Sequence, residues 1–423
     1  MKRILALIVA VLMLATVFVG CDNGGGKETT ASNADTDPFH GEDNITLKVW
    51  APNEATQTFQ AQCDDFIALY PDKTISIEVV AQGEADAATN LLNDPDAAAD
   101  VFGFACNNLN KLYNAGVITP VYDEFKEEVT KNNSAESINA ATLDDILLAY
   151  PETGDNGYYL VYDKSVVSDE DAKTLEGILE ACRKAKKKFV MDAGNGFYSC
   201  IFTFTGGMKL EGLDEEGTQQ FSDYNEDDVV ASMQAFSKLF HEYKDIFESA
   251  DVSKVSSGMA ETPRTVAAGI DGSWNAATVA KVLGDDFGAA KLPTININGE
   301  DKQIISMHGY KLIGVNARTK FPEASQLLAN YLSGETCQLE RAEERSWGPS
   351  NLAAVESDTV KNNIAISAIL EQSKHSVAQV GIADTFWDPM RTLGNKVYKP
   401  EESSETDALK DLLQKTVANI KDE

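Results

Sequence analysis

The feature that most constrains this chain is a regular switching of hydrophobic period between Ile45 and Gly116. Ile45, Leu47 and Val49 alternate, and so do Ile75, Ile77 and Val79. A period of two places each set on one face of a strand. Between them Phe59, Cys63, Phe66 and Tyr70 recur at helical spacing, and Pro71 stops the helix. Ala85–Leu92 reads as a short helix, Asp100-Val101-Phe102-Gly103-Phe104 as a buried strand, and Leu109, Leu112 and Tyr113 as a helix closed by Gly116. Strands that alternate with helices pair in parallel, because each helix supplies the crossover that parallel pairing needs. The class is therefore α/β, with a mainly parallel sheet covered on both faces.

The same grammar returns in Val266–Leu283, VAAGIDGSWNAATVAKVL. Val266–Ile270 suits a buried strand, and Asp271-Gly272 is a turn dipeptide. Ser273 or Asn275 can cap a helix whose apolar face is Ala276, Val279, Ala280 and Leu283. Trp274 then stands where a strand ends and a helix begins, the edge at which open α/β sheets bind ligands. Further helices are expected over Thr174–Lys188, Val229–Tyr243, Glu323–Leu332, Glu335–Glu344, Ile364–Gln372, Thr385–Leu393 and Asp407–Ile420, and strands over Phe189–Met191 and Met307–Val315. Leu147–Lys164 is interrupted by Pro151, Gly154 and Gly157, and Trp347–Asn351 by Gly348 and Pro349, so both read as links between lobes.

Compartment follows from the start of the chain. Lys2 and Arg3 precede the apolar run Ile4–Val19, which is short for a membrane span and ends at Phe18-Val19-Gly20-Cys21. Residues 1–20 read as a lipoprotein signal peptide, with Cys21 the lipidated mature N-terminus. Residues 21–43 are rich in Gly, Ser, Thr, Asn and Asp and read as a flexible tether. Net charge is −31 at neutral pH, which repels nucleic acid and anionic lipid. Cys63, Cys106, Cys182, Cys200 and Cys337 are an odd set without C-x-x-C spacing, and the four histidines are scattered. Buried free thiols are expected, without a disulfide framework, metal or cofactor. No GxSxG elbow, P-loop, GxGxxG or zincin motif occurs. A secreted glycoside hydrolase needs only two carboxylates across a cleft, and acids are plentiful, so that enzyme class stays open on residue counts.

Several short features, taken in order along the chain, resemble the extracellular solute-binding proteins of ABC sugar importers, in particular the maltose/maltodextrin-binding group. They are Phe18–Cys21, Ile45–Trp50, Asp100–Phe104, Ala149-Tyr150-Pro151 with Tyr162-Asp163-Lys164, Gly272-Ser273-Trp274, Lys291-Leu292-Pro293, and Phe386-Trp387 with Arg391. The resemblance spans Ile45 to Ile420. It implies a two-lobe, type II periplasmic-binding-protein-like fold with hinge crossings near Glu152–Asn156, Ser306–Tyr310 and Pro349–Val355. Residues 44–152 plus 309–352 would form the N-terminal lobe, and residues 157–305 plus 356–423 the C-terminal lobe.

It also implies a site. Trp274 and Trp387 match sugar-facing tryptophans, and Arg391 lies four residues beyond Trp387. Phe104 falls where maltose binders often carry Trp, Asn107 where they carry an acid, and Phe197 or Tyr198 near a third aromatic. Asn53 and Glu54 occupy the place of an acid–Lys pair whose Lys is missing here. Asp155 or Asn156 stands near a family Glu. Trp50 and Trp347 are read as packing residues, Met208 and Met259 as core filler, and at most one of Tyr158 and Tyr159 is expected to face the cleft. Aromatic rings would take the C–H face of a sugar, and carboxylates, amides and Arg its hydroxyl rim. The implied partners are an oligosaccharide, ABC permease subunits and the membrane through the lipid anchor, with the protein itself a monomer. A polyamine is the second ligand class, and a lipoprotein adhesin or sensor partner would use the same fold without a transporter.

Overall fold

A computed structural model describes residues 37–399 and 405–421. The signal segment, Cys21 and most of the tether lie outside these residues. Ten strands form one sheet. In chain order they are β1 (Ile45–Ala51), β2 (Ile75–Ala81), β3 (Val101–Ala105), β4 (Tyr150–Asp163), β5 (Lys188–Met191), β6 (Phe247–Ser249), β7 (Val266–Gly272), β8 (Phe287–Ala290), β9 (Ser306–Val315) and β10 (Ser376–Ala378). The spatial order is β6-β5-β7-β4-β9-β3-β1-β2, with β8 beside β4 and β10 beside β9. Each end of the sheet is parallel. β1 pairs with β2 and β3, and β5 with β6 and β7, all in parallel. The longer helices between these strands are Thr56–Ala68 and Glu84–Asn93 at one end and Glu226–Glu242 and Ser253–Ala260 at the other.

Two large hydrophobic cores share this sheet. One gathers Ile45, Val49, Phe59, Phe66, Phe102, Phe104 and Leu328. The other gathers Tyr158, Leu160, Phe189, Phe202, Met233, Phe236 and Leu393. The long antiparallel strands β4 and β9 run through both. Tyr150 and Leu312 lie in the first core, and Tyr158 and Met307 in the second.

Four expectations are corrected. Leu147–Lys164 does connect the two cores, but not as two interrupted runs, because β4 is one continuous strand of 14 residues. Its breakers are absorbed by irregular pairing. The register against β9 shifts between Gly309 and Lys311 and again between Lys311 and Leu312, where Pro151 is the partner. Asp271-Gly272 is not a turn. Both residues complete β7, and Gly272 is extended (φ −77°, ψ 150°). Neither Ser273 nor Asn275 caps the following helix; their side chains bond to Asp155 and Asp271 instead. Finally, the end of the tether reading, Asp37–Asp43, is packed. Phe39 is fully buried against Tyr70, with ring centroids 4.7 Å apart. The Glu42 carboxylate accepts the N–H groups of Glu323 and Ala324 at a helix start (3.1 and 2.9 Å). One aromatic and one capping acid suffice to dock a segment that composition alone marks as unstructured.

Candidate functional site

A cavity of about 720 Å³ lies between the two cores, within the size range of small-molecule sites. Its walls are the segments that follow the parallel strands. Asn53 and Glu54 follow β1, Glu84 follows β2, and Asn107 and Asn108 follow β3. Opposite them, Asp192, Asn195, Phe197 and Tyr198 follow β5, Asp251 follows β6, and Trp274 and Asn275 follow β7. Asn156 and Lys311 from the crossing strands, with Gln379, Lys111, Asp384 and Trp387, add to the lining. Both halves thus present the carboxyl ends of their parallel strands to one cleft, the edge where loops and helix starts leave polar groups free to meet a ligand.

The aromatic wall is fixed by glycines. A Cβ on Gly272 would fall 2.2 Å from the Trp274 indole, so only glycine lets that ring lie on its own backbone. Phe197 packs beside Trp274 with centroids 6.3 Å apart and planes tilted by 37°. Behind it Tyr158 supports Phe197 at 5.0 Å and Tyr198 at 4.9 Å. Trp387 opens the helix Trp387–Tyr398 and meets Phe386 edge-on. A Cβ on Gly196 would lie 2.6 Å from the Trp387 carbonyl oxygen, so this helix start sits directly on the loop after β5. Trp274, Phe197 and Trp387 are each part-exposed, leaving ring surface available.

The base of the cleft is charged. Lys311, buried in β9, places Nζ 3.1 Å from Glu84 Oε1 and faces the indoles of Trp274 (5.7 Å) and Trp347 (4.4 Å). Burial opposes its charge, but Glu84, Glu152 and Asp155 together hold its pKa above the ordinary value. Glu152 is fully buried with neither carboxyl oxygen hydrogen-bonded, and burial followed by the Glu84 charge pushes it up to about 7. Burial likewise raises Asp155, and raises Asp271 to about 7 despite the bond from Asn275.

Neutral polar groups tie the walls together. Gln379 donates to Asn107 Oδ1 (3.2 Å) and accepts from Asn156 Nδ2 (2.8 Å). Lys111, on the first side, reaches Asp384 on the other at 2.9 Å. Among the described residues, no group of three or more His, Cys, Asp or Glu side chains could hold a metal ion.

Of the residues named from sequence, Trp274, Trp387, Asn53, Glu54, Asn107, Asn156, Phe197 and Tyr198 line this cavity. Three do not. Phe104 is fully buried in the first core against Phe102, with centroids 5.4 Å apart, because β3 alternates and residue 104 points inward. Arg391 is exposed and paired with Asp388 at 3.0 Å. It lies a full helical turn from Trp387, and about 6 Å along the axis carries it out of the cleft. Asp155 is consumed structurally: its Oδ2 accepts the Gly348 N–H (2.6 Å) and its carbonyl accepts Ser273 Oγ (2.7 Å). Tyr158 and Tyr159 are both buried, and neither lines the cleft. Sequence reasoning missed Lys311, Glu84, Asp192, Asp251 and Gln379. Glu84 follows a parallel strand, as Trp274 does, so the same rule points to it. Lys311 is the one charged residue in MHGYKLIGV.

A family model described as bacterial extracellular solute-binding protein matches residues 54–368. The chain belongs to this family. This solute-binding protein is 23% identical over 406 residues to the galactooligosaccharide-binding protein of Bacillus subtilis (strain 168), covering 93% of this chain and 90% of that protein. Among solved structures, one with acarbose is 27% identical with a TM-score of 0.79, covering 89% of this chain and 98% of the other. The maltodextrin-binding protein MalE1 from L. casei BL23, without ligand, is 23% identical with a TM-score of 0.72, covering 89% and 99%. The fold of this solute-binding protein is the two-lobe fold of the periplasmic-binding-protein class, with its cleft between the halves. These relatives are binding proteins, not enzymes. No helix among the described residues is long and apolar enough to cross a membrane.

Proposed function

We propose that this protein captures an oligosaccharide of the maltodextrin type in its cleft and delivers it, chemically intact, to the permease of an ABC importer. The observation that carries this reading is the composition of the two facing walls. Trp274, Phe197 and Trp387 offer ring faces, while Asn53, Asn107, Asn156 and Asn275 offer amides. A pyranose has the matching split between C–H faces and a hydroxyl equator, and stacked rings exclude water from the hydrogen bonds at the rim. The relatives' names point the same way, with galactooligosaccharide, maltodextrin and acarbose among them. In this reading the first core is the lobe of residues 44–152 plus 309–352, with Asp37–Asp43 added, and the second is residues 157–305 plus 356–423. The lobes close on the ligand by bending at β4, at β9 and near Pro349–Val355. Lipidation at Cys21 holds the monomeric protein on the outer face of the cell membrane.

Calorimetry against gluco-, galacto- and xylo-oligosaccharides tests the proposal. Trp274→Ala and Trp387→Ala each remove a stacking ring worth about 1.5–3 kcal/mol of burial, so each should weaken binding by roughly ten- to a hundredfold. Far-UV circular dichroism should not change. Unchanged affinity in both variants would falsify the assignment of the cleft. Recovery of cleaved sugar would replace binding with hydrolysis.

A further inference from the structure

The cleft carries more acid than a neutral ligand requires. Its carboxylates are Glu54, Glu84, Asp192, Asp251 and Asp384, and its ammonium groups are Lys111 and Lys311. Both cations are already matched, Lys311 by Glu84 at 3.1 Å and Lys111 by Asp384 at 2.9 Å. Among the described residues Asp192 and Asp251 have no cationic partner, and they stand together on the aromatic wall. They follow β5 and β6, which are paired neighbours up to Met191 and Ser249. Each is pinned through one oxygen only: Gly194 N–H donates to Asp192 Oδ1 (3.1 Å) and Ser253 N–H to Asp251 Oδ1 (2.9 Å).

A second observation concerns Tyr198 in the same cavity lining. Tyr198 lines the cavity, is 3% exposed, and its hydroxyl has no hydrogen-bond partner. That hydroxyl lies in the combined field of Asp271, Asp192 and Asp251. Asp271 is itself fully buried with Oδ2 unpartnered. Two carboxylates on one wall, with an orphaned phenol of the same cavity within their field, make a place suited to a donor-rich cation, and among the described residues the ligand-type side chains are not grouped to hold a metal.

We propose that the cleft selects a saccharide bearing a protonated amine, whose ammonium seats between Asp192 and Asp251. The proposal rests on the carbohydrate reading above and names the subclass. An ammonium brings three donors and no acceptor, which suits two carboxylate oxygens and a phenol oxygen. The neighbouring faces of Trp274 and Phe197 favour the sugar skeleton and also tolerate the charge. A linear polyamine has no flat C–H face for those rings. Partial burial, and after it the Asp251 charge, raise the carboxyl pKa of Asp192, and a bound cation offsets that repulsion.

The test is calorimetry on the mature chain with matched saccharides: maltotriose against 6-amino-6-deoxymaltotriose, and cellotriose against the glucosamine trimer. The aminated member of at least one pair should bind about tenfold or more tighter than its hydroxyl counterpart at low ionic strength, and the ratio should shrink at high salt. In Asp192→Asn/Asp251→Asn the ratio should collapse towards one. A ratio is read because any general loss of affinity cancels in it, and thermal melts of the double variant and of Asp192→Asn alone check folding. Ratios near one in both pairs, or a preference that survives the double variant, overturn the proposal and leave carbohydrate binding standing. Spermidine binding tighter than every saccharide, or no saccharide binding at all, overturns the carbohydrate reading and this proposal with it.

Discussion

Replacing Lys311 by Met tests how the base of the cleft is held. Met keeps the apolar stem and removes one charge. In the native protein Nζ lies 3.1 Å from Glu84 Oε1, with Glu152 and Asp155 contributing to the field. At that distance and an effective dielectric constant of about 20, a single pair attracts by about 5 kcal/mol before desolvation is counted. Removing one partner of such a buried pair costs about 3–5 kcal/mol, because the other charge is left uncompensated. The loss depends on pH, since what remains is carboxylate. Burial and Glu84 already hold Glu152 at about 7 against an ordinary 4.5, and without the ammonium it moves higher. An acid whose folded pKa is raised stabilises the fold fully below its unfolded value and loses that contribution as pH rises through the folded value. Lys311→Met should therefore lose the full amount near pH 8 and clearly less near pH 5, where the carboxyls take up protons. Urea melts of the wild type, Lys311→Met and Lys311→Met/Glu152→Gln at both pH values measure this, and the second substitution should restore stability only at the higher pH. Equal losses at both pH values, or none at either, would refute the reasoning.

Gly272→Ala should displace the Trp274 indole, since the added Cβ would sit 2.2 Å from it. Overpacking of this kind costs about 1–3 kcal/mol, so affinity should drop roughly tenfold with a shifted tryptophan emission. Wild-type calorimetry and emission in that variant would sink the account of the aromatic wall. The described cysteines are all free and buried. Burial pushes Cys63, Cys182, Cys200 and Cys337 up to about 12 and Cys106 up to about 11. Iodoacetamide followed by mass spectrometry should find these five thiols unmodified in the native protein and all alkylated in urea; rapid native labelling of any one would contradict its placement.

The fold was legible where local pattern and tertiary demand coincide. Period-two and helical spacing place β1, β2 and the helices around them, because β1 and β2 are buried on the face their alternation predicts, and the apolar run of β3 marks it as buried on both faces. Pattern failed where a turn-forming residue is used for closeness instead. Gly272 is extended and is glycine because an indole lies on it, and Gly154 sits in a strand where the Pro349 carbonyl oxygen lies 3.2 Å from the place of a Cβ, a tight approach. No local propensity distinguishes these uses from a turn. Phe39 failed for the converse reason, since one apolar residue in a polar run carries no period.

The site divides along the same line. Trp274, read from its place at the end of a strand, does line the cleft, because strand order fixes that edge. Of the residues carried over by resemblance, Asn53, Glu54, Asn107, Asn156, Phe197, Tyr198 and Trp387 also line it, while Arg391 and Phe104 do not, because side-chain direction depends on helix phase and strand alternation beyond the motif. Lys311 shows what neither route reaches. Its charge within an apolar strand is visible in the sequence, yet its partners lie on separate segments: Glu84 beyond β2, Trp347 beyond the second crossing, and Trp274 on the opposite wall. Asp155 is its structural counterpart. One carboxylate oxygen holds Gly348, its carbonyl holds Ser273, and Gly154 N–H bonds the Gly348 carbonyl at 2.9 Å. The crossings are thus joined by backbone contacts around glycines and by the buried groups of Asp155 and Lys311, the latter packed on Trp347. Such a junction keeps the residues beneath the cleft in fixed relation while the apolar cores on either side remain separate, which is the arrangement a cleft between two rigid halves requires.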